Sequence, residues 1–210
     1  GTGYPDVDIV ITTRELGRMI KEAGIDFVNL PDSEFDSPFG VATGAGVIFG
    51  ATGGVMEAAL RTVADILTGE DLDNIEYTNI RGTDGIKTSE VEVAGKKIRL
   101  AVANGLGSAR KLLEKIKNGE AEYEFVEIMG CEGGCVTGGG QSIVDAKTKM
   151  AIDVKAVRGK ALYDEDKSMA IRKSHKNPIV KEIYDNYLGK PCGHKSHKLL
   201  HTHYTARSKY

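Results

Sequence analysis

Residues 125–141 read FVEIMGCEGGCVTGGGQ. An apolar, β-forming run from Phe125 to Met129 leads into a loop in which Cys131 and Cys135 stand four positions apart. Six of residues 127–140 are glycine, the residue chosen where φ is positive or where backbone must lie against something bulky. Two thiolates at this spacing suit a soft metal centre. A structural zinc needs four ligands from tight pairs, and the chain offers one pair plus distant histidines. A radical-type loop of three cysteines needs a third where Gly138 stands. An iron–sulfur cluster completed by cysteines from elsewhere and a pair of buried structural thiols both stay open on spacing alone.

The rest of the chain frames this loop. It has 210 residues, 40% hydrophobic and 28% charged, with net charge −2. That composition suits one or two soluble domains and gives no general attraction to nucleic acid or a membrane surface. No apolar run approaches the ~18 residues of a membrane span, and no basic leader opens the chain. The expected compartment is the cytoplasm, with export of the parent protein left open. Three cysteines do not make a disulfide framework. The start, GTGYPDVDIV, lacks Met and reads as a piece of a larger protein.

Periodicity gives an α/β fold of mixed strands and helices. Residues 6–11 alternate as a strand. Thr12 and Glu15 form a capping box for a helix to about Ala23, with Leu16, Met19, Ile20 and Ala23 on one face and a stop at Gly24. Residues 25–40 read as a connecting loop. The glycine-rich stretch 40–53 feeds a helix from Gly54 to Gly69, its apolar stripe being Val55, Ala59, Leu60, Val63 and Ile66. A glycine turn entering a helix is an anion-friendly geometry. It is not a dinucleotide fingerprint, because Phe49 stands where the third glycine belongs. Strands are expected at 75–81, 89–93 and 97–103, the last two joined by the turn Ala94-Gly95-Lys96. Helices follow at 108–117, 156–172 and 179–188, with a basic tail.

The motif EIMGCEGGCVTGGGQ resembles the third signature of the [FeFe]-hydrogenases, ExMxCxxGCxxGGGQ. TTRELGRMIKEAGIDF (12–27), GAGVIFGATGGVMEAALRT (44–62), NPIVKEIYDNYLGKP (177–191) and HKSHKLLHTHY (194–204) resemble stretches of the same family's catalytic domain, in the same order. The resemblance implies the C-terminal half of that domain over residues 1–155, and a small-subunit-like helical tail over 156–210 packing on it. The implied activity is reversible interconversion of protons, electrons and H2. The implied cofactor is the H-cluster, a [4Fe-4S] cubane joined to a two-iron unit bearing CO, cyanide and a bridging dithiolate. Cys131 matches the ligand of the cubane alone, and Cys135 the ligand shared between cubane and two-iron unit. Met129, Phe49 and Val55 match residues of the apolar pocket around that unit.

Gly130 stands where the family has alanine, and Ser142 where it has proline. The first two family signatures, with two more cubane cysteines, the proton-delivering cysteine and a lysine contacting cyanide, have no counterpart here. The chain is therefore expected to need a missing N-terminal half as partner, to be inactive alone, and to serve ferredoxin or another electron carrier. An exposed seam, Val41–Val55 and Ile128–Val136, is expected to contact that partner or a second copy. Cys192 reads as incidental, and the cluster His194, His197, His201 and His203 as structural. The alternative function is a related iron–sulfur assembly or sensor protein.

Overall fold

The computed structural model describes residues 3–5, 7–34, 36, 41–202, 206 and 208. Its helices are α1 (Thr13–Glu22), α2 (Gly44–Val47), α3 (Gly54–Thr68), α4 (Leu106–Lys117), α5 (Ala146–Ala151), α6 (Val154–Ser168), α7 (Pro178–Ile183) and α8 (His194–Leu200). Its strands are β1 (Ile86–Val93), β2 (Lys96–Asn104) and β3 (Phe125–Met129), in sheet order β1-β2-β3.

β1 and β2 form the expected hairpin, turning through Ala94 and Gly95, both at positive φ. Paired positive φ gives the turn a twist that matches its strands. β3 pairs parallel with β2, Leu100 opposite Phe125 and Asn104 opposite Met129, and α4 makes the crossover. The end of β2, Leu100–Asn104, is buried throughout, as a central strand covered on both faces must be. Leu100 and Val102 face Met56, Leu60 and Ala64 of α3. Ala101 and Ala103 face Leu112 of α4. Burial of each large side chain in these layers contributes about 1.5–3 kcal/mol.

α6 packs on α2 through an approach only glycine permits. A Cβ on Gly44 would sit 2.0 Å from Asp166 Oδ1, and one on Gly50 2.7 Å from Leu162. Buried charge locks the contact. Asp166 accepts from Arg61 Nη1 at 2.7 Å and Nη2 at 2.9 Å, and from Arg172 Nη2 at 2.5 Å. Glu57 accepts from Arg61 and Arg81. Asp65 receives Lys173 at 2.8 Å and His175 at 3.0 Å.

α1 has the predicted capping box, but Leu16 and Met19 on its apolar face are exposed. Residues 7–11 form no strand, and Val7, Ile9 and Val10 stand in solvent. No partner strand is present for them among the described residues, and an isolated strand has nothing to pair its amides; Asp6 lies outside those residues. Residues 75–81 are not a strand either. Their carbonyls are taken by side chains instead, Ile75 O by Arg61 and Ile80 O by Lys87, and the segment closes as a 3-10 turn at Thr78–Ile80. The expected 156–172 helix starts earlier, at Val154, and ends at Ser168, because Ile171 and Arg172 leave the helix to bond Gly44 and Asp166. The expected 179–188 helix is α7 followed by a wider turn at Tyr184–Leu188.

Of the stripe expected to be buried on α3, Leu60 is buried and the rest is not. Met56, Leu60 and Ala64 face the core together with Glu57, Arg61 and Asp65, while Val63 and Ile66 are exposed and Val55 half-buried. Three charged side chains are buried because each finds an opposite charge, which apolarity counts alone do not register.

Candidate metal centre

β3 aims the chain at the loop, and its neighbours hold the loop on three sides. Gly105 N donates to Met129 O at 2.8 Å and Asn104 Oδ1 accepts from Gly133 N at 3.1 Å, so the buried end of β2 sets one side. Thr52 N donates to Gly133 O at 3.1 Å. Gly134, at φ 102°, leaves no room for a side chain: a Cβ there would lie 2.5 Å from Gly50 O and 2.8 Å from Thr52 N. The glycine-rich 50–54 stretch and the cysteine loop are thus in backbone-to-backbone contact, and the 3-10 turns Ile48–Gly50 and Cys135–Thr137 pack together. On the third side Arg158 of α6 donates to Val136 O and Ser142 O at 2.9 and 2.8 Å. Lys155 pairs with Glu132, and that hydrogen bond holds the Glu132 carboxyl below its ordinary pKa.

Within this frame Cys131 and Cys135 are free thiols and both are exposed. A Cβ on Gly138 would lie 3.2 Å from Cys135 O, a tight approach, and in ordinary contact at 3.7 Å with Cys131 Sγ. Gly130 has no heavy atom near its Cβ position, so alanine would fit there. Ser142 contributes its carbonyl to Arg158, a bond proline would also make. Phe49 is exposed, and Val55 and Met129 are half-buried. The segments that carry these residues meet: the turn Ile48–Gly50 packs on Cys135–Thr137, and α3 on β3. Of the expected seam, Val41, Phe49 and Ile128 are exposed, but Ala45, Ile48, Ala51 and Val136 are buried.

Two exposed thiols on a glycine loop fit half the donor set of a [4Fe-4S] cubane, which takes four thiolates. Among the described residues no group of three or more His, Cys, Asp or Glu is placed to hold a metal. Cys192 is exposed and distant in sequence. The rings of His197 on α8 and His201 just past its end lie 4.1 Å apart, tilted by 47°, and His203 lies outside the described residues. A cleft of about 600 Å³ borders the loop between Thr137, Gly138, Gln141 and Ile152, Lys155, Arg158, and the thiols lie outside it.

One residue of the EIMGCEGGCVTGGGQ motif has a role that its spacing does not reveal. Glu127 is buried on β3, and its carboxylate accepts from Gly53 N at 2.6 Å and Met56 N at 2.8 Å. The anion-friendly helix entrance expected at Gly53–Gly54 is filled by a carboxylate of the same chain. Behind it Lys87 donates to Ile80 O and Gly82 O at 2.7 Å each. Burial lowers the Lys87 amine to about 8, against a smaller opposing pull from Glu127.

The profile of the iron-only hydrogenase large subunit, C-terminal domain, matches residues 1–139, and that of the iron hydrogenase small subunit matches residues 152–207. The chain is 47% identical over 207 residues to the NADP-reducing hydrogenase subunit HndD of Solidesulfovibrio fructosivorans, covering 99% of this chain and 34% of that protein. It is 48% identical over 202 residues to iron hydrogenase 1 of Clostridium pasteurianum, covering 96% and 35%. Protein NAR1 of Arabidopsis thaliana is 29% identical over 204 residues, covering 95% and 42%. Among solved structures, the [FeFe]-hydrogenase HydA1 of Chlamydomonas reinhardtii superposes with a TM-score of 0.72 at 45% identity, covering 95% of this chain and 56% of that one. The chain spans about a third of the length of the curated hydrogenases it matches.

Proposed function

Because the chain belongs to the iron-only hydrogenase family, we propose that it is the C-terminal half of an [FeFe]-hydrogenase catalytic domain and supplies one side of the H-cluster site. The observation that carries this is the loop itself: two free, exposed thiols on backbone wedged by Gly134 against the 50–54 stretch. Cys131 and Cys135 would hold the cubane, and Cys135 would serve the two-iron unit as well. Met129, Phe49 and Val55 wall that unit with apolar atoms, which excludes water and tunes potential through burial. When bound, the group supplies the exchange of electrons between protons and H2.

Two thiols are half a ligand set, so the partner is the upstream half of the catalytic domain. The outward faces fit that partner. Leu16 and Met19 of α1, Phe27 and Val28 after it, and Val63 and Ile66 of α3 are exposed apolar residues that such a partner would cover. Residues 7–11 then find their strand partner in that half. An electron carrier such as ferredoxin completes the system.

The test is co-expression of the chain with a family upstream half, followed by iron counting, infrared bands of CO and cyanide, and H2 evolution. The pair is expected to carry the cluster and turn over, and the chain alone to evolve no H2. Cys131→Ala is expected to lose cubane iron; a variant that keeps it all contradicts the ligand assignment. The 29% identity to cytosolic iron-sulfur assembly component 3 of Mus musculus supports a second reading, an iron–sulfur protein without hydrogen turnover. A cubane without CO and cyanide bands in the assembled pair is that reading's signature.

A further inference from the structure

Three links join the wall that carries Phe49 and Val55 to the strand and loop that carry Met129, Cys131 and Cys135. Two are contacts of loop backbone: Thr52 N on Gly133 O, and Gly134 against Gly50. The third is the side chain of Glu127. α3 has Gly53 as its N-cap, in the left-handed region at φ 87°, with no capping side chain of its own. Fifteen-residue α3 thus leaves orphan amides pointing toward β3. Glu127 lies opposite Val102 in the sheet, on the face turned to α3, and takes two of those amides. A charged acceptor at a helix N-terminus is favoured both by its hydrogen bonds and by the helix dipole. Its position matters as much as its strength. Gly53 lies between Phe49 and Val55, and Glu127 lies two residues before Met129 and four before Cys131.

We propose that Glu127 is a positioning residue for the cluster site, its carboxylate holding the Phe49–Val55 wall in register with the Met129–Cys131–Cys135 loop. This rests on the reading of the loop as a cluster site. A side chain that merely capped α3 would protect Gly53 and Met56 and nothing else. A residue that sets the register must also govern the Thr52–Gly133 bond, to which it contributes no atom.

Glu127→Gln keeps the volume but offers one acceptor oxygen and an amide that repels the second N–H. Amide exchange on the full chain is the first measurement. Exchange at Gly53, Met56 and Thr52 is expected to rise roughly tenfold or more, the scale of one lost charge-assisted bond, while β2 amides such as Val102 stay protected. Protection retained at Thr52 overturns the proposal and leaves Glu127 a local cap. Should the chain unfold, Glu127→Asp, which keeps the charge on a shorter arm, carries the same comparison. In the chain assembled with an upstream half, Glu127→Gln is expected to retain iron at Cys131 and Cys135 yet shift and broaden the CO and cyanide bands. Wild-type bands in that variant also overturn it. A wild-type assembly without such bands refutes the cluster reading itself, and the exchange at Thr52 still decides whether Glu127 sets the register.

Discussion

Asp166→Ala removes the anion at the centre of the contact between α3 and α6. The side chain is fully buried and receives three hydrogen bonds, two from Arg61 and one from Arg172. Arg61 is itself fully buried, so truncation leaves a guanidinium sealed in the core with Glu57 as its remaining carboxylate partner. Breaking a buried pair from one side costs about 3–5 kcal/mol, because the survivor keeps its desolvation and loses its compensation. Domains of this kind are stable by only about 5–15 kcal/mol, so the variant forfeits a large fraction. With a urea slope of about 2–3 kcal/mol/M, the midpoint moves down by about 1–2 M. The assay is urea unfolding followed by far-ultraviolet circular dichroism, since the chain has no tryptophan. In an Arg61→Ala background the same substitution is expected to cost at least about 1 kcal/mol less, because the two residues share one interaction. A midpoint shift below about 0.3 M, or strict additivity with Arg61→Ala, refutes the claim that this pair locks α6 to α3.

Acid is expected to weaken the same contact. Burial pushes the Asp166 and Asp65 carboxyls up, but the hydrogen bonds from Arg61 and Arg172 to Asp166, and from Lys173 to Asp65, outweigh it and hold both below the usual carboxylate range. Their stabilisation is complete above the unfolded carboxylate pKa and lost as pH falls through the folded one; acid titration of unfolding midpoints, wild type against Asp166→Ala, reads this out. Lys87 acts at the other end. With its folded amine lowered to about 8, the unfolded chain binds more protons between that pH and the ordinary lysine value of about 10.5. Stability is therefore expected to gain from this residue as pH rises through that window, and Lys87→Met to lack the gain; equal slopes for both proteins refute it. Gly134→Ala is expected to cost about 1–3 kcal/mol, from positive φ and a clash with Gly50 O, and to abolish iron binding by the loop. Gly130→Ala, with open space at its Cβ, is expected to stay within about 0.5 kcal/mol of wild type. A protease cut between 143 and 152, where Ile143 and Met150 are exposed, is expected to leave two pieces that co-elute, held by Asp166–Arg61 and Lys173–Asp65.

Local pattern carried the elements whose partners are local. The capping box at Thr12 and Glu15, the β1–β2 hairpin, and the glycine stops at Gly24 and Gly69 were all legible, because each depends on residues a few positions apart. The stretch 125–141 was legible as a strand delivering two thiols into a glycine loop. Residues 75–81 and the buried face of α3 were misread for one reason. Arg61, Lys87 and Asp166 reach across 14, 7 and 105 positions to take acceptors or charges that a periodicity count assigns to solvent or to a ladder.

By itself, the order of residues determined the family, the three-residue spacer between Cys131 and Cys135, and the glycines that let their loop lie flat. Only the tertiary structure decided what those glycines lie against and what anchors them. Gly134 meets Gly50, Asn104 and Arg158 grip the loop from opposite sides, and Glu127 fills a helix entrance that read as a site for a foreign anion. The physical reason is distance along the chain. A backbone amide is indifferent to whether its acceptor is 3 or 74 residues away, and in this protein the acceptors that shape the thiol site are the distant ones.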